Sequence, residues 1–581
     1  MEPQTARIAL AAVVAPLALA VTAASASQHL HRTVGARRGL PDWQSVYSEG
    51  DDDGDTPPLT PPERIQAITQ SVEGPRLYGL RVSSGAPPFA GDRPLMTTVS
   101  PNGDGYRDDA VVRFRLEQAA RVTMDVMVCS KHPRTIWTTT KRLPAGSHSL
   151  VWAPAQDTSP RSYLLMLKAA ANGKQHVYGS TDYRLADLQP APVVRIQGVD
   201  AGFGKRSYAP GARARLRIST DAPSFTLQFF QAGPETQPTA KDEMQGVPVS
   251  EQRLVDWSAH RSAPATLSVH LGDWANGIYF AQLTAPDGRV GYAPFVVRPA
   301  QYGLHRIAYV FPTNTWEAYN HDDVDGDGWG DTWYATDSER DVDLSRHYIG
   351  LGAPPKWRMY DLPPLHWLYQ TGKQEQVDFL TDDDLESFRS SKELVHLYDL
   401  IVFPSYDEYA TTHAYDLITG YRNLGGNLMF LSATNFLWRV NRHGNRITRI
   451  EEWRFLHRPE SSLVGVQYRG SDEGEHRGPY VLSEFGRRSW VFAGVDLSML
   501  SAWHWFGIEY DMTTSRSPRG IHVLGRVNPH MGNGHLRGVM TYYQRGQAKV
   551  FAGGTLNFPA SVWYPPYRRV LENVWDRLSQ P

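Results

Sequence analysis

The stretch "HRIAYVFPT", residues 305–313, decides the reading of the fold. Five apolar residues in a row, Ile307 to Phe311, end at a proline, too short for a helix and continuous rather than alternating. That is the signature of a strand buried on both faces. The rest of the chain toward the C-terminus keeps the same rhythm. "LPPLHWLYQTG" (362–372) predicts a helix with a glycine stop, and "VDFLTD" (377–382) and "YDLIVFPS" (398–405) predict strands. "HAYDLITGYRNLG" (413–425) predicts an amphipathic helix, "NLMFLSAT" (427–434), "SWVFAGVD" (489–496) and "AKVFAGGTL" (548–556) strands, and "YRRVLENVWDRLS" (567–579) a closing helix. Buried strands alternating with helices mean a doubly wound, mostly parallel α/β domain over 303–581. In such sheets ligands sit beyond the carboxyl ends of the strands. The rule nominates Thr313, Asn314, Asp382 to Asp384, Ser405 to Tyr409, Ser432 to Asn435 and Asn557.

Before residue 303 the apolar residues recur at every second position. "DAVVRFRLE", "RVTMDVMVC", "HSLVWAP" and "YLLMLKAA" predict a β-sandwich over 76–186. "SYAPGARARLRIST" and the hairpin around "APDG" (285–288) predict a second over 188–299. Asn102, Asp104 and Asp108 in "SPNGDGYRDD" suit either a cation or Asx turns. Cys129, the only cysteine, falls on an apolar stretch and is expected to be buried rather than nucleophilic.

Ahead of these units, "IALAAVVAPLALAVTAASA" (8–26) reads as an export signal ending in Ala24-Ser25-Ala26. An uncleaved anchor is the competing reading, and Pro16 with the small residues after it favours cleavage. The protein is therefore expected to be secreted or extracytoplasmic, with no membrane span once the signal is removed. Residues 27–75, with "EGDDDGDTPPLTPPE", read as an acidic, proline-rich linker. Across the chain 59 Lys and Arg stand against 61 Asp and Glu, so no global field argues for nucleic acid as a partner. The 17 Trp and 28 Tyr suit β-rich cores first and sugar-facing surfaces second.

One loop is unlike the rest. "YNHDDVDGDGWGDTWY" (319–334) holds five aspartates and three glycines. Asp323, Asp325 and Asp327 occupy positions 1, 3 and 5 of a calcium-loop pattern. Gly328 makes the turn, the Trp329 carbonyl falls at 7 and Asp331 at 9. Position 12 is Tyr334 instead of the bidentate glutamate, so Asp337 or Glu339 would have to supply that ligand. Structural Ca2+ is the expectation, against a solvated acidic loop. Nucleophile motifs are missing: there is no G-x-S-x-G, no H-E-x-x-H and no paired-cysteine pattern. Ser405 follows a strand directly but lacks glycine neighbours, and His366, His396 and His413 fall on or near predicted helices.

An ordered series of segments carries a resemblance. "YVFPTNTWEAYN", "LHWLYQTGKQEQVDFLTDDDL", "YDLIVFPSYDEY", "GGNLMFLSATNFLWRV", "RPESSLVGVQY", "GIEYDMTT" and "MTYYQRGQAKVFAGGTLNF" resemble the C-terminal domain of the N,N-dimethylformamidase large (β) subunit over nearly all of 303–581. The unit at 188–299 resembles the domain preceding it in that family. "SPNGDGYRDD" with "LPAGSHSLVWAP" resembles the Ig-like domain of the flagellar hook-capping protein, which implies a structural or spacer module; with the second unit, the expected layout is two N-terminal Ig-like sandwiches ahead of an amidotransferase-like α/β domain. The family resemblance implies a mononuclear Fe3+ held by two tyrosines and a glutamate, hydrolysing a small amide. Hard phenolate and carboxylate oxygens suit that ion. Tyr409 in "DEY" matches one tyrosine and Glu509 in "GIEYD" the glutamate. The second tyrosine aligns with Leu437, which cannot ligate; Tyr406, Asp407 or Glu408 would have to compensate. The family's enzymes pair with a small subunit, an association the resemblance raises for this chain without fixing it. Three readings stand: a metal-dependent hydrolase of a C–N bond in a small amide; a non-catalytic binding or scaffold protein for an extracellular ligand, stiffened by calcium; or a hydrolase using another pocket around Ser405 or Asp382 to Asp384, which needs a base such as His366 within hydrogen-bond reach.

Overall fold

The structure is a computed structural model that describes residues 74–581 apart from 187, 237, 238, 240–242, 335–339 and 528–535. The export signal at 1–26, nearly all of the linker at 27–75, and Asp337 and Glu339 lie outside the described residues. The chain is multidomain and mostly β, with several separate sheets.

Alternation builds the first unit. In Ala110–Leu116 the even positions are buried while Arg113 and Arg115 are exposed, the period of two that a pleated strand imposes. This strand pairs with Leu77–Ser83 and Gly146–Trp152. A second sheet runs in the order Met96–Val99, Val193–Ile196, Ser162–Ala171, Ala120–Val128, Arg134–Leu143, with Lys174–Tyr178 on its side. One apolar core takes Val112, Phe114 and Trp152 from the first sheet and Val122 and Leu165 from the second. Cys129 is buried one residue past its strand, and burial pushes its thiol up, as an inert cysteine requires. The 102–108 turn ties its side chains to its own backbone, and Asn102 also donates to Asp287 while Asp104 meets Arg261. Asp108 accepts from the N–H of Gly103 and Gly105, and Asp104 from that of Tyr106.

The second unit repeats the scheme. Arg213–Ser219 turns its three arginines outward and Ala214, Leu216 and Ile218 inward. Gly277–Thr284 and Val290–Val297 form the expected hairpin in unbroken register, and Gly288 takes φ +88° at the turn, where a side chain would be strained.

The largest sheet has eight strands in the order Val377–Thr381, Ile307–Phe311, Leu400–Phe403, Asn427–Phe430, Ala548–Ala552, Val539–Arg545, His522–Val527, Tyr480–Leu482. The first five pair in parallel and the last three add antiparallel. Every residue of Ile307–Phe311, Val377–Thr381, Leu400–Phe403 and Asn427–Phe430 is buried. The expected helices are Leu362–Thr371, stopped by Gly372 at φ +69°, then Thr412–Asn423 and Pro565–Leu578. One expectation fails. "SWVFAGVD" is not a strand but a 3-10 turn at Trp490–Phe492. Ser489 accepts from the Val491 N–H, and Asn573 of the final helix donates to the carbonyls of Val491 and Ala493 at 3.0 and 2.9 Å. With those groups satisfied by side chains, no strand partner is needed. Among the described residues no helix is long and apolar enough to cross a membrane.

Among the described residues no strand pairs beyond Val377–Thr381. Asn276 of the second β unit stands there instead, donating to Val377 O at 2.9 Å and accepting from the Phe379 N–H at 2.6 Å. A side-chain amide thus imitates one residue of a neighbouring strand. Asn276→Ala should lower unfolding stability by about 1–3 kcal/mol, the cost of leaving two buried backbone groups unmet. Urea denaturation checks it; an unchanged midpoint would show that the clamp is dispensable.

Candidate functional site

The carboxyl ends of the parallel strands gather acid and phenol groups. Tyr409 opens the short strand Tyr409–Thr411 and pairs with Trp438. Its backbone is tied from both sides: Asn314 donates to its carbonyl at 3.1 Å, and the Trp438 N–H donates to Glu408 O at 2.9 Å. Its ring packs against Trp333 at 4.7 Å and Tyr319 at 6.0 Å between centroids. Tyr319 closes the helix Thr313–Ala318, directly after the first strand of the eight-stranded sheet, and donates its hydroxyl to Glu408 Oε2 at 2.7 Å. Glu509 and Asp511 alternate on the strand Glu509–Met512 and so share a face. Thr434 joins them: its hydroxyl donates to Glu509 Oε2 and its N–H to both Asp511 oxygens, at 3.2 and 3.1 Å.

The backbone that presents this group is strained. Thr434, Phe436 and Ile508 take φ of +65°, +57° and +71°, left-handed values that non-glycine residues avoid. Such conformations persist where the surrounding structure over-determines them. Here Asp511 fixes Thr434, and the Phe436 N–H is held by Asp407 O at 2.7 Å.

Burial dominates the electrostatics. It pushes Glu408 well above the usual carboxylate range, with Glu509 and Asp511 adding to the rise and the Tyr319 hydroxyl opposing it. Burial pushes Glu509 up to about 7 against the Thr434 hydrogen bond, and Asp511 to about 7 against its bonds from the Thr434 backbone. Burial likewise raises Tyr409, with the charges of Glu408 and Glu509 adding to it. Tyr409 and Glu509 therefore belong to one acid-rich cluster, and such a cluster favours either protons or a cation.

The acidic loop is a second centre. Asp323 is buried, and its carboxylate accepts from the N–H of Gly326, Asp327 and Gly328. Asp325 accepts from Asp327 N–H, Asp327 from Trp329 N–H, and Asp331 from Val324 N–H. Carboxylate oxygens of Asp323, Asp325 and Asp327 lie within 4.8 Å of one another. Burial pushes Asp323 up to about 8; Ser162 and Arg195 oppose the rise, Asp327 and Asp325 add to it. The loop leans on the first β unit. Trp329 packs with Met96, Met127, Leu164 and Val193. A Cβ on Gly326 would lie 2.4 Å from Met96 Sδ, so that glycine, at φ +72°, is required twice over.

Other nominees are placed apart. Ser405 donates to Asp361 at 2.7 Å, while His366 bonds Glu235 of the second β unit at 2.8 Å, so the two do not form a nucleophile–base pair. Asp382 accepts from Asn314 N–H and Thr313, and Asp384 caps its own helix through Thr381. Tyr319, which links Tyr409 to Glu408, is a residue that sequence reasoning missed. It opens the acidic stretch 319–334 and falls in the segment "YVFPTNTWEAYN", but neither pattern gives it a role, and linear spacing cannot place it beside residues about 90 positions away.

The chain matches the family described as "N,N-dimethylformamidase beta subunit-like, C-terminal" over residues 228–567, more than half its length, and it belongs to that family. None of the curated proteins matches. Among solved structures, Escherichia coli alpha-2-macroglobulin activated by porcine elastase aligns with 38% of this chain and 20% of its own, at 8% identity and a TM-score of 0.15, a likeness that carries no argument. The iron this family's resemblance implies can be tested against the side chains present. Tyr409 and Glu509 offer hard oxygen donors within one cluster whose excess of carboxyls suits a trivalent cation. Leu437, buried beside Trp438, offers none. The residues fit the ion at two of the three aligned positions.

The raised carboxyls set a pH dependence. Glu509 moves from 4.5 to about 7 on folding, so the folded state holds the extra proton between those values. The stability it lends is full below the unfolded value and is lost as pH rises through the folded one. Relative to Glu509→Gln, the metal-free wild type should lose stability across that window. Melting curves of both proteins across it check the sign; parallel curves would refute it.

Proposed function

We propose that the 303–581 segment is a doubly wound α/β hydrolase domain, carried behind two Ig-like sandwiches in an exported protein, and that it cleaves a C–N bond in a small amide. The observation that carries the reading is that buried Tyr409 and half-buried Glu509 stand near enough for the Glu509 charge to add to the rise that burial and Glu408 give the phenol. Tyr409 and Glu509 would hold Fe3+, which supplies Lewis-acid polarisation of a carbonyl and a water that ionises near neutral pH. The chain's own groups complete the chemistry. Glu408 is kept neutral by burial and by Glu509, and a neutral carboxyl can hand its proton to a departing amine nitrogen. Tyr319 accompanies Glu408 and fixes its orientation. The apolar ring of Tyr360, Tyr406, Ala433 and Leu556 beside Tyr319 and Ile508 would keep competing water from the site. A small partner subunit, as in the family's enzymes, belongs to this reading. Tyr409→Phe and Glu509→Gln should each abolish iron retention and amide turnover while leaving the far-ultraviolet circular dichroism of the folded chain unchanged. Elemental analysis and amine release from simple formamides and acetamides check this; full turnover without iron would overturn it.

The acidic loop supports a second element of the proposal, structural Ca2+ at Asp323, Asp325, Asp327, Asp331 and the Trp329 carbonyl. The support is the buried Asp323 carboxylate at the centre of three backbone N–H groups, with two more carboxylates beside it. Calcium must displace the proton that burial favours on Asp323, so affinity should rise as pH approaches 8. Chelation should lower the melting temperature, and Asp323→Asn with Asp327→Asn should remove that sensitivity. Calcium-dependent stability with no amide turnover, in a chain that carries Leu437, would favour the binding or scaffold protein with an extracellular ligand.

A further inference from the structure

We infer that Tyr319 supplies the second phenol oxygen of the iron centre formed with Tyr409 and Glu509, in place of the tyrosine that Leu437 excludes. The inference rests on the iron reading above and deepens it. Leu437 is 5% exposed and sits one residue before Trp438, the strand partner of Tyr409, so its position borders the cluster while its hydrocarbon side chain brings no donor. Tyr319 arrives from a different element and reaches the same place. Its ring lies edge-on to Tyr409, with centroids 6.0 Å apart and planes at 79°, and its hydroxyl is 2.7 Å from Glu408 Oε2. The ring also packs between two apolar groups. One contains Tyr409 and Trp333, and the other borders Ile508, the residue before Glu509. Tyr319 thus touches the apolar group that holds Tyr409 and also the one that Ile508 borders, and its hydroxyl stays with Glu408.

The neighbours that follow Ser405 are less suited. Tyr406 directs its hydroxyl to Pro355 O at 3.3 Å, and its ring stacks on Tyr319 at 5.7 Å. Asp407 is a buried carboxyl and not a phenol, so like Glu408 it cannot replace a tyrosine in kind. Glu408 is a carboxylate and cannot replace a phenol in kind, but it holds the Tyr319 hydroxyl in the cluster. Substitution of one ligand by another residue that approaches from a different element preserves donor chemistry without preserving sequence position.

The experiment is to load the purified chain with ferric iron and record iron per chain together with the visible phenolate-to-iron charge-transfer band. Tyr319→Phe should lose part of that band and weaken iron retention on the order of tenfold or more. Tyr319→Phe with Leu437→Tyr should restore both, because it returns a phenol to the aligned position. Tyr334→Phe, whose ring also meets Tyr319 edge-on at 5.5 Å, should leave both unchanged. Circular dichroism shows whether each variant is folded. A wild type that takes up iron with a phenolate band, and a Tyr319→Phe that matches it, would overturn the role of Tyr319 and leave the iron reading standing. A wild type with neither iron nor band would overturn both.

Discussion

The carboxylate of Asp323 is the contact on which the arrangement of the chain turns. A buried side chain there gathers three backbone N–H groups into a tight loop. That loop sets Trp329 into the apolar face of the first β unit. Arg93 and Arg195 of that unit close over it, donating to the carbonyls of Asp325, Gly326 and Asp323. From the other side Arg346 reaches the carbonyls of Asp322, Asp331 and Glu317. Glu317 lies in the same short helix that ends at Tyr319. An acidic loop that looks like a surface ornament therefore fixes the β unit, the helix and the phenol in one piece.

The second constraint is negative charge held without equal positive charge. Glu408, Glu509 and Asp511 are all buried or half-buried in one cluster, and each is raised first by loss of water. Glu460 adds another buried carboxyl, pushed up to about 8, with Asp511 among its neighbours. Buried charges are normally paired, coordinated or neutralised. Here the hydrogen bonds of Tyr319 and Thr434 and the charges of Arg449, Lys131 and Arg454 offset the rise only in part, so the cluster favours protons near neutral pH. The left-handed residues Thr434, Phe436 and Ile508 show the same cost in the backbone. Local preference has given way there to the placement of Glu509 and Asp511.

Much of the frame is legible in the order of residues alone. Runs such as "IAYVF" and "LIVF" have one stable use, as strands covered on both faces, and the structure uses them so. Alternation in "RARLRIS" could place its arginines only on the solvent side. The misread segment, "SWVFAGVD", is apolar enough for a strand. Its backbone is satisfied instead by Ser489 and by Asn573, far along the chain, a partner no local window contains.

The sequence by itself determined the elements, their period and the acidic loop, because those follow from side-chain chemistry repeated over a few residues. It also placed Tyr409 just past the end of a buried strand. What only the tertiary structure decided was which groups meet there. Tyr319, Glu408, Thr434 and Asp511 come from four separate segments, and their convergence depends on how the parallel strands are ordered and how the loops after them turn. Distances across a fold are set by packing, and packing sums contacts over the whole chain; spacing along the sequence carries no record of it.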